Sequence, residues 1–233
     1  MLERSSEKAT TLPDVYLLSI KGTLAPSSLD AARAIHNQTA GAPASVAAAR
    51  SLGDLSHMVY IPFDRPKSAS GEFLILDLWN SMDGLNQFFA NPHVQEQAGQ
   101  IFRSRDPVVW APSEGLANYH YPAPSGMNDR VVAIVRGSVK SREEAQAHHN
   151  AIVAENVNKA RMAGNMSHEA YFKLVPPGNK EAVELIAIDV WMNTSGMSRF
   201  YRDPESQRNL QELFNGTPST SIWIHPPGDW VEW

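Results

Sequence analysis

The stretch LDLWNSMDGLNQFFANPHVQEQAGQIF, at residues 76–102, returns as IDVWMNTSGMSRFYRDPESQRNLQELF at residues 188–214. The two stretches align without a gap and are identical at 7 of 27 positions. Toward the N-terminus the offset between matching residues changes from 112 to 111 and then to 113, while the matching segments keep their order. This regularity indicates an internal duplication. We divide the chain into an N-terminal tail at 1–13, a first copy at 14–121, a linker at 122–128 and a second copy at 129–233.

Each copy alternates apolar runs of strand length with segments of helical periodicity. A helix follows the first strand, and in the second copy it opens with the capping box Ser141–Glu144. In the first copy the matching helix is interrupted at Gly41–Pro43, because proline lacks the backbone donor and clashes with the preceding turn. Two more strands, a second helix that breaks at Asn91-Pro92 or Asp203-Pro204, and a fourth strand complete each copy. The order β-α-β-β-α-β predicts a ferredoxin-like unit.

The helices of such a unit cover only one face of its sheet. In Leu185–Trp191, however, both alternating sets of side chains are mainly apolar, so both faces of this strand are predicted to be buried. The simplest second cover is the sheet of the other copy. We therefore predict an α+β fold in which two tandem ferredoxin-like (βαββαβ) units pack sheet to sheet as an intrachain α+β barrel. The packed sheets would enclose Asp77, Trp79, Asp189 and Trp191, and the short tails Leu116–Tyr121 and Asp229–Trp233 would add edge strands.

The composition excludes several classes of partner and chemistry. A net charge of −5, from 20 basic and 25 acidic residues, gives no electrostatic support for binding to nucleic acid or to an anionic membrane. The absence of cysteine removes disulfides, thiolate nucleophiles and cysteine-ligated metals. No run approaches the roughly 18 apolar residues of a membrane span, and the polar N-terminus does not resemble a secretory signal, so a cytoplasmic protein is expected. Glycine-rich phosphate loops and a G-x-S-x-G nucleophile elbow are also absent.

Four histidines occupy matching positions in the two copies. His149 lies on the apolar face of its helix, so it and His36 are predicted to point inward, where an imidazole can act as a base near neutral pH. His57 and His168 lie at the start of the second strand and could close a polar pocket around a substrate. The alternatives are hydrogen-bonded core histidines for the first pair and solvated strand ends for the second pair.

Asp77 and Asp189 lie within apolar strands, each two residues before a tryptophan. A buried carboxylate is costly unless it is paired or protonated, and such positions are enriched at functional sites. These aspartates could orient a histidine base or bind a substrate hydroxyl. The alternative is a structural ion pair with Lys21 and Arg136, which occupy equivalent positions on the first strands and are also candidates for substrate binding.

Two further possibilities concern aromatic stacking and metal binding. Trp79 and Trp191 could stack on a flat aromatic ligand, although large aromatic side chains also commonly fill core volume. Two histidines and one aspartate could bind non-haem iron or zinc. No H-x-H or H-x-x-x-H spacing supports such a site, and the adjacent His148 and His149 point to different helix faces, so we predict no metal.

The stretch from Leu76 to Leu85, followed by Phe88-Phe89-Ala90-Asn91-Pro92-His93-Val94-Gln95, resembles the strand-to-helix signature of antibiotic biosynthesis monooxygenase-type domains in the dimeric α+β barrel superfamily. The second copy carries a more diverged version. The resemblance implies a barrel of two such units, here a pseudo-dimer within one chain that could also form a homo-oligomer. Members of the superfamily include oxygenases that oxidise quinols or polycyclic aromatics without metal or flavin, haem-degrading enzymes and small lactone isomerases.

Two pairs of positions depart from the family pattern. Asp77 and Asp189 stand where the family often has glutamate, and Phe88 and Phe200 stand where it often has a helix histidine. In the haem-degrading branch that histidine holds the iron. Its replacement by phenylalanine argues against haem binding by this chain.

The resemblance and the candidate residues suggest a cofactor-independent monooxygenase-like enzyme that acts on an aromatic, quinol or polyketide-like substrate, in a pocket between each sheet and its first helix. In this hypothesis His36 or His149 takes a substrate proton, an aspartate orients the histidine, and a tryptophan lines the cavity. The substrate anion then reacts with dioxygen, so no cofactor is expected. The alternatives are a non-catalytic hydrophobic-ligand-binding or stress-associated barrel, or a barrel kept for assembly alone. Because the helix of the first copy is interrupted, the second copy is preferred if only one works.

Overall fold

The computed structural model of the protein describes residues 15–64, 71–121, 130–176, 178–179 and 181–233. The predicted N-terminal tail at 1–13 and linker at 122–128 lie outside these residues. Unit 1 comprises β1 (Tyr16–Leu24), α1 (Leu29–Gln38), α2 (Pro43–Ser51), β2 (Asp54–Pro62), β3 (Glu72–Trp79), α3 (Met82–Ala90), α4 (Pro92–Ile101), β4 (Phe102–Trp110) and β5 (Tyr119–His120). Unit 2 comprises β6 (Val131–Ser138), α5 (Arg142–Met162), β7 (Asn165–Phe172), β8 (Glu184–Trp191), α6 (Thr194–Arg202), α7 (Pro204–Leu213) and β9 (Ser219–Ile224).

The helices begin where the sequence supplies caps. The Ser141 hydroxyl accepts a hydrogen bond from the backbone N–H of Glu144 at 3.1 Å and starts α5, which continues without a break for 21 residues. In unit 1 the corresponding segment is divided into α1 and α2, and Pro43 opens the second of them. The predicted interruption at Gly41–Pro43 is therefore confirmed, and it makes the two units differ on the helical side of the sheet.

The strands form one nine-stranded antiparallel sheet in the order β4-β1-β3-β2-β9-β6-β8-β7-β5. Each unit contributes its four long strands in the ferredoxin-like order, and β2 joins β9 where Ile61 pairs with Ile224. At the other edge, the Ala111 N–H donates to the Phe172 carbonyl at 2.8 Å, and the Leu174 N–H donates to the Val109 carbonyl at 2.9 Å. These bonds close the sheet on itself, which confirms the predicted intrachain α+β barrel.

The two faces of each strand belong to different cores. On β3, Leu74 and Leu76 pack inside the barrel with Trp110 and Trp223, whereas Phe73 and its alternate neighbours pack under the helices. Because side chains alternate along a strand, Asp77 and Trp79 lie on the helical face, as do Asp189 and Trp191 in unit 2. The prediction that these four residues are enclosed between the sheets is wrong. When both faces of a strand are apolar, the sequence pattern does not tell which face meets the helices.

The tail at 116–121 adds the short edge strand β5, as predicted, whereas the tail at 229–233 forms no assigned strand, and each tail binds the opposite unit. After β4 the chain crosses to unit 2, where Tyr119 pairs with His168 as part of β5. The C-terminal segment returns to unit 1, where the backbone of His57 donates to the Trp233 carbonyl at 2.7 Å and accepts from its N–H at 3.2 Å. The two units therefore exchange their tails.

Among the residues that the structure describes, no helix combines the length and the apolar character that a bilayer crossing requires.

Gly84 in α3 and Gly196 in α6 allow these helices to pack closely against the loops that precede β2 and β7. A Cβ atom at Gly84 would lie 1.7 Å from the Leu52 carbonyl oxygen, and one at Gly196 would lie 1.8 Å from the Ala163 carbonyl oxygen. We expect Gly84→Ala and Gly196→Ala each to lower the free energy of unfolding by about 1–3 kcal/mol or more, because backbone has to move. Urea unfolding with an unchanged m-value measures this loss.

Gly99→Ala is the matched control, because Gly99 lies within α4 and a Cβ there meets nothing within 4 Å. We expect this substitution to raise the free energy of unfolding by about 0.5–1 kcal/mol, since alanine loses less backbone entropy than glycine. Equal effects of the three substitutions would contradict the assigned close approach.

Candidate active site

A chain of four polar side chains crosses unit 1 from the sheet to the first helix. Asp77 on β3 and His57 on β2 are cross-strand neighbours, and the Asp77 Oδ1 lies 2.7 Å from the His57 Nδ1. The His57 Nε2 lies 2.9 Å from the Nε2 of His36 on α1. The His36 Nδ1 in turn lies 3.1 Å from the Asn37 Oδ1. The carboxylate, both imidazoles and the amide thus form one continuous hydrogen-bonded chain.

Unit 2 repeats this chain residue by residue. The Asp189 Oδ1 is 2.8 Å from the His168 Nδ1, and the His168 Nε2 is 2.7 Å from the His149 Nε2. The His149 Nδ1 is 3.1 Å from the Asn150 Oδ1. The structure therefore brings together, within each unit, the histidine pair and the aspartate that the sequence singled out.

Asn37 and Asn150 also form hydrogen bonds to the tail of the opposite unit. The Asn37 Nδ2 donates to the Asp229 carbonyl at 2.7 Å, and the Asn37 Oδ1 accepts from the Val231 N–H at 3.0 Å. Asn150 makes the equivalent pair of bonds to the unit 1 tail, at 2.7 Å and 2.8 Å. The sequence reasoning gave these asparagines no role, although the repeated His-Asn dipeptide was a usable signal.

These bonds fix where the protons of the chain lie. Because the Asn37 amide donates to a carbonyl, its oxygen faces His36 and can only accept, so the His36 Nδ1 carries the proton. Because His36 is fully buried beside His57, a second proton on it is unfavourable, so its Nε2 accepts from His57, which also donates through its Nδ1 to the Asp77 carboxylate. His57 is thus an imidazolium paired with Asp77, and His36 is a neutral imidazole.

The electrostatics agree with this proton order. Burial, followed by the nearby charge of His57, lowers the pKa of His36 to about 4. Burial also acts to lower the pKa of His57, but the charge of Asp77 and the hydrogen bond to it raise that pKa above its ordinary value. In unit 2 the pKa of His149 is likewise lowered to about 4, first by burial, and the pKa of His168 is raised because Asp189 outweighs the opposing effect of burial. Both ring nitrogens of each helix histidine are hydrogen-bonded, so this geometry does not favour His36 or His149 as the proton acceptor.

Unit 1 contains a cavity of about 300 Å³ between its sheet and its helices. One corner is polar and consists of Asp54, His57 and Asp77. The other walls are mainly apolar and include Leu18, Ile75, Leu85, Phe88, Phe89 and Trp233. The Trp233 ring stacks on the His57 ring at 4.5 Å between centroids, so the exchanged tail forms part of the wall.

The equivalent cavity of unit 2 measures only about 80 Å³. Its lining includes Val153 and Asn156 of the continuous helix α5, whereas the duplication places the smaller Ala40 and Ser45 at these positions in unit 1. The interruption of the first helix thus accompanies the larger cavity. The sequence favours the second copy because the interruption suggests a degenerated or opened pocket, and the two cavity volumes instead favour the first copy.

The two polar corners differ at two matched positions. In unit 2 the Tyr201 hydroxyl donates to the Asp189 Oδ2 at 2.6 Å, and the Asn165 amide donates to the Asp189 Oδ1 at 3.2 Å. Unit 1 has Phe89 in place of Tyr201 and Asp54 in place of Asn165. Burial, and then the charge of Asp77, raise the pKa of Asp54 to about 7, against the opposing charge of His57.

Sequence reasoning missed Asp54. The signal was present in the duplication, because the offset of 111 that aligns Gly53 with Gly164 places Asp54 directly opposite Asn165. An aspartate in one copy and an asparagine in the other, both next to matched glycines, mark a position where charge differs but shape does not.

Two predicted roles are not supported by the structure. The pairing of Lys21 and Arg136 with Asp77 and Asp189 is wrong, because the two basic residues lie on the opposite face of the sheet. Lys21 pairs with Glu72 at 2.7 Å, and Arg136 pairs with Glu184 at 2.8 Å. Neither basic residue lines the cavity of its own unit.

The two tryptophans next to the aspartates belong to the core. Trp79 and Trp191 are fully buried, and neither is part of a cavity wall. Trp79 packs against Phe88 and Phe89, and Trp191 packs against their counterparts on α6. Of the two readings given by the sequence, the structure supports core packing.

No family model and no curated protein matches the chain. Solved structures do match: an anthrone oxidase-like protein superimposes with a TM-score of 0.63 and 14% sequence identity over 93% of each chain. A candidate monooxygenase from Lactobacillus acidophilus NCFM gives a TM-score of 0.56 and 12% identity, over 92% of this chain and 94% of its own. A mutant chlorite dismutase from Candidatus Nitrospira defluvii gives 0.52 and 12%, over 93% of each chain.

The chain shares the fold of these solved structures over nearly its whole length. At these identities the likeness shows the fold of the barrel and does not assign its chemistry. The polar chains and cavities described above are features of this barrel's own residues.

The proton order of the barrel can be tested by ¹⁵N NMR of the histidine rings. At pH 7 we expect His57 and His168 to be doubly protonated, and His36 and His149 to be neutral with the proton on Nδ1. The His57→Gln variant is the control, because removing the His57 charge raises the pKa of His36 while burial remains. Double protonation of His36 at pH 6 in the unchanged protein would contradict the assigned positions of the protons.

The same shifts predict how stability depends on pH. The folded chain protonates His36 and His149 only near pH 4, whereas the unfolded chain protonates them near their ordinary value of 6.5. The unfolded state therefore binds more protons in this window, and the contribution of these histidines to stability falls as pH decreases from about 6.5 to 4. Urea unfolding of His149→Gln should show a smaller loss over that window than the unchanged protein.

The hydrogen bonds of Asn37 and Asn150 predict that each asparagine restrains only the tail to which it is bonded. Asn37→Ala should accelerate hydrogen exchange at the Val231 amide and cost about 1–3 kcal/mol, because the buried His36 loses the acceptor of its Nδ1–H. Asn150→Ala should instead accelerate exchange at Ala117. Each variant serves as the control for the other. Faster hydrogen exchange in both tails after either substitution would contradict the assignment of one asparagine to each tail.

Proposed function

We propose that the protein is a cofactor-independent monooxygenase-like enzyme that oxidises an aromatic, quinol or polyketide-like molecule in the cavity of unit 1. The observation that carries this proposal is the polar corner of Asp54, His57 and Asp77 at the edge of a largely apolar cavity. Sites for small molecules commonly combine apolar walls with a few convergent polar groups. The likeness in fold to an anthrone oxidase-like protein and to a candidate monooxygenase supports the same class of reaction.

The walls suit a flat, apolar molecule. Phe88, Phe89 and Trp233 present aromatic surface to the cavity, and such surface stacks favourably on fused rings. A volume of about 300 Å³ lies at the lower end of the range of about 300–1,000 Å³ that is usual for small-molecule sites. We therefore propose a compact aromatic substrate that places its acidic carbon or hydroxyl in the polar corner.

The polar corner suits proton removal followed by stabilisation of an anion. His57 holds a positive charge beside the cavity because Asp77 stabilises it, and a fixed charge in a poorly solvated site stabilises an enolate or phenolate strongly. Neither His36 nor His149 needs to act as the base, in contrast to the hypothesis drawn from the sequence. The histidine chain instead supplies the electrostatic field.

The oxidation balances with dioxygen as the only co-reactant. A methylene carbon flanked by aromatic rings loses a proton, and the carbanion passes its electron pair to dioxygen and forms a carbon–oxygen bond. Cleavage of the oxygen–oxygen bond leaves one oxygen as a carbonyl, and the second oxygen departs as water. The substrate is oxidised and dioxygen is reduced, so the protein supplies position, proton transfer and charge.

The proposal can be tested by filling the cavity of unit 1 with the residues of unit 2. Ala40→Val combined with Ser45→Asn should reduce oxygen uptake with anthrone or a quinol, and binding of the same compound, by at least about tenfold, because the cavity shrinks. An oxygen electrode and quenching of tryptophan fluorescence measure the two effects.

The reverse pair, Val153→Ala with Asn156→Ser, is the matched control in unit 2 and should leave both readouts of unit 1 unchanged. Binding without oxygen uptake by the unchanged protein would favour the alternative of a non-catalytic hydrophobic-ligand-binding barrel. Absence of both with anthrones and quinols would reject the proposal for these substrate classes.

A further inference from the structure

We infer that Asp54 is the catalytic residue that takes the substrate proton, and that unit 2 lacks this function because it has Asn165 instead. This inference rests on the proposed function and names the base within it. Asp54 is the first residue of β2, its side chain lines the cavity of unit 1, and only 5% of its surface is exposed. A molecule in the cavity can therefore touch its carboxyl group directly.

The other titratable groups around the cavity are already committed. Among the described residues these are His57, Asp77 and Arg105. Both ring nitrogens of His57 are hydrogen-bonded, and Asp77 is the counter-ion of that ring, with its Oδ1 2.7 Å from the His57 Nδ1. Arg105 contacts Gln95 and is a cation, so it cannot accept a proton.

The tail packed against this corner brings one more carboxyl group, Glu232. Its Oε1 accepts from the Val59 N–H at 2.8 Å, and its Oε2 lies 3.0 Å from His225. Glu232 does not line the cavity. It acts on the corner only at a distance, by contributing to the raised pKa of His57.

Asp54 differs from these groups in its bonding. Its Oδ1 accepts a long hydrogen bond from the Ser56 N–H at 3.3 Å, and the Trp233 side chain adds only the smallest of the effects on its pKa. Burial and the neighbouring Asp77 charge raise the pKa of Asp54 to about 7. A base with a pKa near the working pH is present in its ionised form and still binds a proton well, which is the best compromise for proton transfer.

Unit 2 provides a comparison within the same chain. There Asn165 donates its amide to Asp189, and Tyr201 donates its hydroxyl to the other oxygen of that carboxylate. An amide cannot take a proton from a substrate near neutral pH, and the pKa of Tyr201 is raised well above its ordinary value by burial and by Asp189. Unit 2 thus retains the histidine chain and lacks a base, whereas unit 1 has both.

In the proposed step a C–H or O–H bond of the substrate breaks, its proton bonds to a carboxylate oxygen of Asp54, and the electron pair remains on the substrate. After the anion has reacted with dioxygen, Asp54 returns the proton to the peroxide oxygen that departs as water. The second hydrogen of the methylene carbon leaves as the carbonyl forms and completes that water molecule. Asp54 ends ionised and ready for another cycle.

The experiment compares Asp54→Asn, Asp54→Glu and Asn165→Asp with the unchanged protein, using anthrone as the probe and oxygen uptake as the readout. For Asp54→Asn we expect kcat to fall by about 100-fold or more while the dissociation constant of anthrone changes less than about threefold. With the unchanged protein, activity should rise with pH and level off above about 7, because the ionised base is the active form. This rise should persist in Asp54→Glu and vanish from the residual activity of Asp54→Asn.

Asn165→Asp is the matched control and should leave oxygen uptake by the protein unchanged, because the unit 2 cavity of about 80 Å³ is too small to admit anthrone. An independent readout is thermal unfolding of Asp54→Asn. The folded chain holds the Asp54 proton up to about pH 7, so ionisation of Asp54 reduces stability as pH rises from about 4 to 7. The gain in melting temperature of the variant over the unchanged protein should therefore be larger at pH 8 than at pH 5.

The outcomes separate this inference from the proposed function. If the unchanged protein oxidises anthrone and Asp54→Asn does so at a similar rate with the same pH profile, Asp54 is not the base and the proposed function stands. If the unchanged protein neither binds nor oxidises anthrones or quinols, the proposed function fails, and the inference fails with it.

Discussion

The structure of each unit depends on one buried ion pair between neighbouring strands, Asp77 with His57 in unit 1. A carboxylate buried beneath the helices needs a cation as its partner. The imidazolium that fills this role has a second N–H group, which must also form a hydrogen bond. That N–H requires an acceptor, which is the neutral His36 on the first helix, and His36 in turn needs an acceptor in Asn37. The chain of bonds thus fixes the position of the helix on the sheet, and the same logic holds in unit 2.

The asparagine at the end of each hydrogen-bonded series, Asn37 or Asn150, also connects the two units. Each asparagine holds the backbone of a tail that belongs to the other unit, and an aromatic ring of that tail stacks on the strand histidine. Neither polar site is therefore complete within its own copy of the repeat. Together with the hydrogen bonds that close the barrel at both edges, this exchange joins the two units into one barrel, although each unit has its own helical core.

The two units have kept the same scaffold and diverged in what fills it. Larger side chains on a continuous helix occupy most of the space in unit 2, and Tyr201 and Asn165 saturate the oxygens of Asp189. In unit 1 smaller side chains leave a cavity, and Phe89 and Asp54 leave its polar corner with fewer donors. A site that keeps a buried carboxyl group weakly bonded gives up stability, which is common where a group is needed for chemistry.

The sequence by itself determined the duplication, the βαββαβ order of each copy, the broken first helix and the four histidines and two aspartates that meet. These follow from local periodicity, from proline chemistry and from comparison of one half with the other. Tertiary structure alone decided which face of the sheet carries Asp77, where Lys21 points, which tail crosses to which unit and which cavity is open. The sequence of a strand that is apolar on both sides does not indicate which side faces the helices. Cavity volume depends on how many side chains from distant segments pack together, so no single segment determines either property.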